Sequence, residues 1–280
     1  MDDILISPEE LARSLEEGRT VRLLDVRWKL GAPDGLPDYL EGHLPGAVYV
    51  DLDRELSTHG APEDGRSPMP AIETLQEAAR DWGVNDGDEI VAYDDASGTI
   101  AGRAVWLLRH AGVVSVRLLD GGLAAWRAAG LPLESGPVER ERGDVSLAYG
   151  GLDILGIEEV QDIAGRGVLL DARPRDRYTG ENEPLEPRAG HIPGALSAPA
   201  SDNLGDDGRF RPLEELEAHY ARLGVSADRP VAVYCGGGTT CSADFVALTR
   251  LGHRVAIYPG SWSQWSAHPE LPVEVGEGPA

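Results

Sequence analysis

The chain reads twice. Leu23-Leu24-Asp25-Val26-Arg27 returns as Leu169-Leu170-Asp171-Ala172-Arg173, and Gly42-His43-Leu44-Pro45-Gly46-Ala47 as Gly190-His191-Ile192-Pro193-Gly194-Ala195. Ile90-Val91-Ala92-Tyr93 is matched by Val231-Ala232-Val233-Tyr234, and Gly121–Trp126 by Gly260–Trp265. The shifts are 146 (169−23), 148 (190−42), 141 (234−93) and 139 (260−121) residues. A near-constant shift of this size means a duplicated domain with small insertions, and it is too long for a solenoid repeat. A chain of 280 residues has room for two hydrophobic cores. The expected division is a domain over 1–135, a linker over 136–151 containing Gly, Pro and a charged run, and a second domain over 152–280.

Within each half, short apolar runs rich in β-branched residues alternate with helical patterns. Val21–Asp25, Ile90–Tyr93 and Val116–Leu119 read as buried strands, as do Val168–Asp171, Val231–Tyr234 and Val255–Tyr258. Pro8–Glu17, Ala71–Trp82, Arg103–His110, Leu213–Leu223 and Ser242–Leu251 read as helices. Strands apolar on both faces, alternating with helices, predict an α/β protein of two similar domains. Each should be a mostly parallel sheet with helices on both faces.

Charge narrows the function. The formal net charge is −23, so the surface should repel phosphate backbones and nucleic acid is not an expected partner. Lys29 is the sole lysine, so an anion site must use arginine or backbone N–H groups. Two cysteines, Cys235 and Cys241, make no disulfide framework, and a reducing, cytoplasmic setting is expected. The N-terminus has neither a basic start nor a long apolar run, so no signal peptide or membrane span is expected.

The chemistry concentrates at Tyr234-Cys235-Gly236-Gly237-Gly238-Thr239-Thr240-Cys241-Ser242, between an apolar strand and a helix. In open parallel sheets, ligands bind at the carboxyl ends of strands. Three glycines let the backbone turn its N–H groups inward as an anion nest, and the following helix adds the positive end of its dipole. A thiol in that cradle should ionise easily and act as a nucleophile. The competing reading is a buried structural cysteine before a glycine turn, since free cysteine is among the most buried residue types.

Further motifs carry a resemblance. Cys235-Gly-Gly-Gly-Thr-Thr240 is similar to a C-G-S-G-V-T loop. Asp171-Ala-Arg173-Pro-Arg-Asp-Arg177-Tyr178 fits D-[SA]-R-x-x-x-R-[FY], and Glu186-Pro187-Arg188 precedes Gly190-His191-Ile192-Pro193-Gly194. Gly260-Ser261-Trp262-Ser263-Gln264-Trp265 closes the second half, and Leu118–Trp126 carries the matching pattern in the first. In these the chain resembles the tandem rhodanese sulfurtransferases over nearly its whole length, the 3-mercaptopyruvate branch most of all. The resemblance implies two rhodanese-like domains, with only the second catalytic. Asp94 stands where Cys235 stands and cannot carry sulfur.

It also implies roles. Cys235 would carry a persulfide. Arg177 and Arg188 would hold the carboxylate and carbonyl of an anionic donor, beside the loop Gly236, Gly237, Gly238, Thr239 and Thr240. No metal or organic cofactor is expected. The acceptor would be a thiol, a thioredoxin-like protein among them, or cyanide. Arg173 reads as a structural ion-pair partner and Arg175 as solvent-facing. His43 and His191 lie in turns that both halves share, which argues for structure. A serine–histidine relay is absent, because Gly237 stands where the resembling enzymes carry serine. Thiosulfate-preferring relatives have a basic loop of the C-R-K-G kind, so this neutral loop favours 3-mercaptopyruvate and leaves thiosulfate open. Cys241 is expected to pack in the first turn of the helix, and spacing alone cannot establish a redox pair.

Three rivals remain in view. A cysteine phosphatase needs Arg six residues after the nucleophile, where this chain has Cys241. A binding module that merely kept the fold would not need Cys235 and its arginines. A thioredoxin-type oxidoreductase would favour C-x-x-C spacing.

Overall fold

The computed structural model describes residues 3–32 and 34–278. They form two compact units. One comprises Met1–Thr58, Met69–Gly151 and Asp206–Phe210; the other comprises His59–Pro68, Leu152–Gly205 and Arg211–Ala280.

In the first unit the elements run β1 (Leu5–Ile6), α1 (Pro8–Glu16), β2 (Val21–Val26), α2 (Leu36–Glu41), β3 (Val48–Val50), α3 (Leu52–Glu55), α4 (Ile72–Asp81), β4 (Glu89–Tyr93), α5 (Gly102–His110), β5 (Val116–Leu119) and α6 (Gly122–Ala128). The strands form a parallel sheet in the order β1-β5-β4-β2-β3. The central strand β4 is covered on both faces, so its apolar residues are continuous rather than alternating. Helix α1 starts where the sequence dictates: Ser7 Oγ accepts the Glu10 N–H at 3.1 Å and Pro8 takes the first turn, where a missing N–H costs nothing.

The second unit repeats the plan with α7 (Ile157–Arg166), β6 (Val168–Asp171), α8 (Arg175–Thr179), β7 (Leu196–Ser197), α9 (Leu213–Arg222), β8 (Val231–Tyr234), α10 (Ser242–Arg250), β9 (Val255–Ile257) and α11 (Ser261–Ala267). Its sheet is parallel in the order β7-β6-β8-β9. Tyr234, Trp262 and Trp265 lie in a fully buried cluster with Val160, Leu169 and Ile192.

The expected α/β class and paired parallel sheets are present, and the elements read from periodicity agree to within a residue at each end. Short elements escaped that reading: β1, β3 and β7 span two or three residues, too few for a pattern to show. Helix α7 also escaped it, although Glu159 reaches back to the Gly156 N–H at 2.8 Å as a capping signal.

The segment 136–151 differs from a free linker. Gly143 N–H donates to Arg80 O at 2.8 Å, the Tyr149 hydroxyl to Pro70 O at 2.9 Å, and Val145 is buried, all within the first unit. Each half also lends a short Asp-Gly-Arg segment to the other unit: Asp64-Gly65-Arg66 belongs to the second, Asp207-Gly208-Arg209 to the first.

Both Asp-x-Arg repeats are buried bidentate ion pairs. Arg27 binds Asp25 at 2.8 Å and Arg173 binds Asp171 at 2.6 Å. Arg173 also lies over the Trp262 ring at 4.6 Å and donates to the carbonyl of Gly190, so it ties β6 to the turn that follows.

Candidate active site

The site grows from the end of β8. The chain leaves the strand at Tyr234, curls through residues 235–240, and enters α10 with Cys241 as its N-cap. Gly238 takes a left-handed conformation (φ 75°) that a side chain would disfavour. Helix α11 holds the loop from the other side. Ser261 Oγ accepts the Cys235 N–H at 3.1 Å, Trp262 N–H donates to Cys235 O at 2.9 Å, and Ser263 N–H to Gly236 O at 2.8 Å. Ser261 has a left-handed backbone (φ 55°), rare for a residue with a side chain. The Gly-Ser-Trp motif is therefore the clamp on the cysteine loop.

Cys235 is 1% exposed. Burial alone would push its thiol pKa up. The Cys241 thiol and Thr240 hydroxyl, with the N–H groups of Cys241 and Gly237, hydrogen-bond to the sulfur and more than offset that, so the thiol is held well below its ordinary value. Of the expected loop residues, Thr240 through its hydroxyl and Gly237 through its N–H contribute to that lowering. Thr239 serves the helix start, its carbonyl accepting the Ser242 N–H at 3.1 Å.

The first unit shows what such a loop is built to hold. Asp94 occupies the matching place after β4, and its carboxylate accepts four backbone N–H groups. Ala96 and Gly98 reach one oxygen at 2.8 and 2.7 Å; Ile100 and Ala101 reach the other at 2.8 and 2.7 Å. Here the nest is filled by the chain's own anion. Burial nevertheless raises the Asp94 pKa, against those hydrogen bonds.

Two guanidinium groups stand on the second unit's loop. A methyl group built on Gly236 would lie 3.3 Å from Arg177 Nη1 and 3.0 Å from Arg66 Nη2; on Gly237 it would lie 3.2 Å from Arg66. Arg177, from α8, is held by Glu183 at 2.6 Å. Arg66 is paired with Glu186, and its own N–H donates to Ser263 Oγ at 2.9 Å. Sequence reading did not single out Arg66, because it lies far from Cys235 in the chain and in the other half. Its one signal was the recurrence of Asp-Gly-Arg at 207–209. The structure also accounts for Gly237: a serine side chain there would press on Arg66. Beside Arg66 opens a cleft of about 310 Å³, lined by His59, Pro62, Leu185, Glu186 and Ser263 among others.

Arg188 is engaged by the clamp helix. Its guanidinium donates to the carbonyls of Trp265, Ser266, His268 and Leu271 at 2.6–2.9 Å. All its nitrogens are spent on the C-terminal end of α11, where orphan carbonyls and the negative dipole end attract a cation. It straps the clamp helix.

His43 and His191 are structural as well. His43 bridges Leu44 O and Gly136 O and stacks on Tyr39; His191 bonds Tyr178 O and stacks on its ring at 3.8 Å. Among the described residues, no group of His, Cys, Asp or Glu is placed to hold a metal ion, and no helix is long and apolar enough to cross a membrane.

The rhodanese-like domain model matches residues 7–129 and again 157–268. The chain belongs to the rhodanese family. A Mycobacterium tuberculosis protein designated a thiosulfate sulfurtransferase is 42% identical over 98% of this chain and 97% of its own length. The 3-mercaptopyruvate sulfurtransferase of Escherichia coli is 38% identical over 85% of each chain. A crystal structure of the Escherichia coli 3-mercaptopyruvate enzyme superposes with a TM-score of 0.81, covering 93% of this chain and 99% of its own, at 33% identity. Both rhodanese copies match the two sheets described above, and the second copy contains Cys235.

Proposed function

We propose that this rhodanese-family sulfurtransferase carries its transferable sulfur on Cys235 as a persulfide, taken from a small anionic donor and passed to a thiol or to cyanide. The observation that carries the reading is the buried thiol at the end of β8, held ionisable by hydrogen-bond donors of its own loop, with two guanidinium groups against the loop's first two glycines. The names of the relatives support sulfur transfer and divide over the donor.

The chemistry follows in two halves. The Cys235 thiolate attacks the donor's terminal sulfur. With 3-mercaptopyruvate the C–S bond breaks, its electron pair stays on carbon as an enolate, and protonation gives pyruvate. With thiosulfate the S–S bond breaks and sulfite leaves. The persulfide anion inherits the same hydrogen-bond donors as the thiolate. An acceptor thiolate, for instance from a thioredoxin-like dithiol, then attacks the outer sulfur and returns the Cys235 thiolate. Cyanide would leave as thiocyanate.

We favour 3-mercaptopyruvate. Arg177 and Arg66 offer planar forks suited to its carboxylate, and the loop itself carries no cation. Steady-state rates with each donor test this. Double-reciprocal lines should be parallel, as for any ping-pong transfer, and kcat/KM should be higher with 3-mercaptopyruvate. Equal or faster turnover of thiosulfate would overturn the donor assignment and leave the persulfide reading standing.

A further inference from the structure

The arginines against the cysteine loop bring their own counter-charges, and both carboxylates come from one short segment of the second unit. Glu183, its side chain 2% exposed, takes Arg177 at 2.6 Å and Arg173 at 3.2 Å. Its Oε1 also accepts the N–H groups of Leu185 and Glu186 at 3.1 and 3.3 Å. That carboxylate is built into a backbone turn, and its charge is shared between two cations. Glu186 is placed differently. Its side chain is 8% exposed, its carboxylate pairs with Arg66 Nη1, and it lines the cleft beside Arg66. The remaining nitrogens of that guanidinium lie against the loop. A methyl group built on Gly236 would meet Nη2 at 3.0 Å, and one on Gly237 would meet Nε and Nη2 at 3.2 Å. One planar cation therefore separates the Glu186 carboxylate from the glycines that follow Cys235.

We propose that Glu186 is a specificity-determining residue that sets the donor charge accepted at the loop, admitting a monoanion such as 3-mercaptopyruvate and disfavouring a dianion such as thiosulfate. The proposal rests on Cys235 being the sulfur carrier. A guanidinium paired through one nitrogen still donates through the others, so Arg66 keeps its grip on an anion. Its charge, however, is already answered. A dianion feels the Glu186 charge twice as strongly as a monoanion does, and a nearly buried carboxylate is poorly screened by salt. Glu186 thus acts on donor choice through Arg66, without touching the reacting sulfur.

The test compares kcat/KM for thiosulfate and for 3-mercaptopyruvate in wild type, Glu186→Gln and Glu186→Asp, with cyanide as the common acceptor. In a ping-pong transfer this quantity reports the donor half-reaction alone. The assay is run at about pH 7, where the thiol of 3-mercaptopyruvate stays mostly protonated and that donor carries one charge. Glutamine keeps the shape and a hydrogen bond to Arg66 but removes the charge. The ratio of thiosulfate to 3-mercaptopyruvate should then rise about tenfold. Aspartate keeps the charge, so its ratio should stay within about twofold of wild type even where the shorter side chain raises both KM values.

A glutamine ratio equal to wild type overturns the proposal. That result would follow if both donors lost the same factor, making Glu186 a mere support for Arg66. It would follow equally if Glu186 were protonated in wild type, since burial raises its carboxyl pKa against the pull of Arg66. An aspartate ratio displaced as far as glutamine's also overturns it, because shape rather than charge would then be the cause. Donor loading of the same samples, read by mass, separates the two readings. Wild type that takes up no sulfur refutes the carrier role of Cys235; wild type that loads, with an unmoved glutamine ratio, refutes only the role of Glu186.

Discussion

Cys235 is buried, and the side chains set around its loop can each be removed singly. Arg177→Ala and Arg66→Ala should each raise KM for 3-mercaptopyruvate about tenfold, the worth of ~1.4 kcal/mol of donor binding, while Arg188→Ala should destabilise the protein and leave KM near wild type. Unchanged KM in both of the first two variants would remove the arginines from the donor site. Asp244 gives a pH signature. Burial raises its carboxyl pKa to about 7, against hydrogen bonds from Asn203 at 2.7 Å and Tyr220 at 2.8 Å, and the nearby Cys235 charge adds to the rise. The folded state therefore holds this proton more tightly than the unfolded chain. Stability falls as pH rises from the unfolded carboxylate range towards 7 and levels off above it. Asp244→Asn should melt increasingly above wild type over that window. A difference in Tm that does not change with pH would show that Asp244 stays charged.

The strand–loop–helix element was legible in the sequence because its parts are local. An apolar run, three glycines and a helical pattern declare β8, the loop and α10 without tertiary information. The same logic found β4 and α5, yet periodicity could not show that Asp94 fills its own loop. Asp94→Ala would leave four buried N–H groups without their acceptor and should cost about 3 kcal/mol of stability, read by chemical denaturation; a cost near zero would mean the loop does not need its anion. What sequence reading missed is non-local. Arg66 reaches Gly236 only because the segment His59–Pro68 folds with the second unit. Arg188 matched a motif, but which atoms its guanidinium meets is decided by where α11 ends.

At the scale of the whole molecule, duplication supplied two parallel sheets and two anion-binding loops, and the chain uses them differently. One loop is closed by its own carboxylate; the other starts at a buried cysteine and has two guanidinium groups against its first two glycines. The duplicated sequence therefore predicts a single transferable sulfur per chain. Intact-protein mass spectrometry after incubation with donor and removal of excess tests that claim most directly. Wild type should gain the mass of one sulfur atom and lose it on addition of cyanide, and Cys235→Ser should gain none. Sulfur uptake by the serine variant, or more than one labile sulfur on wild type, would contradict the account.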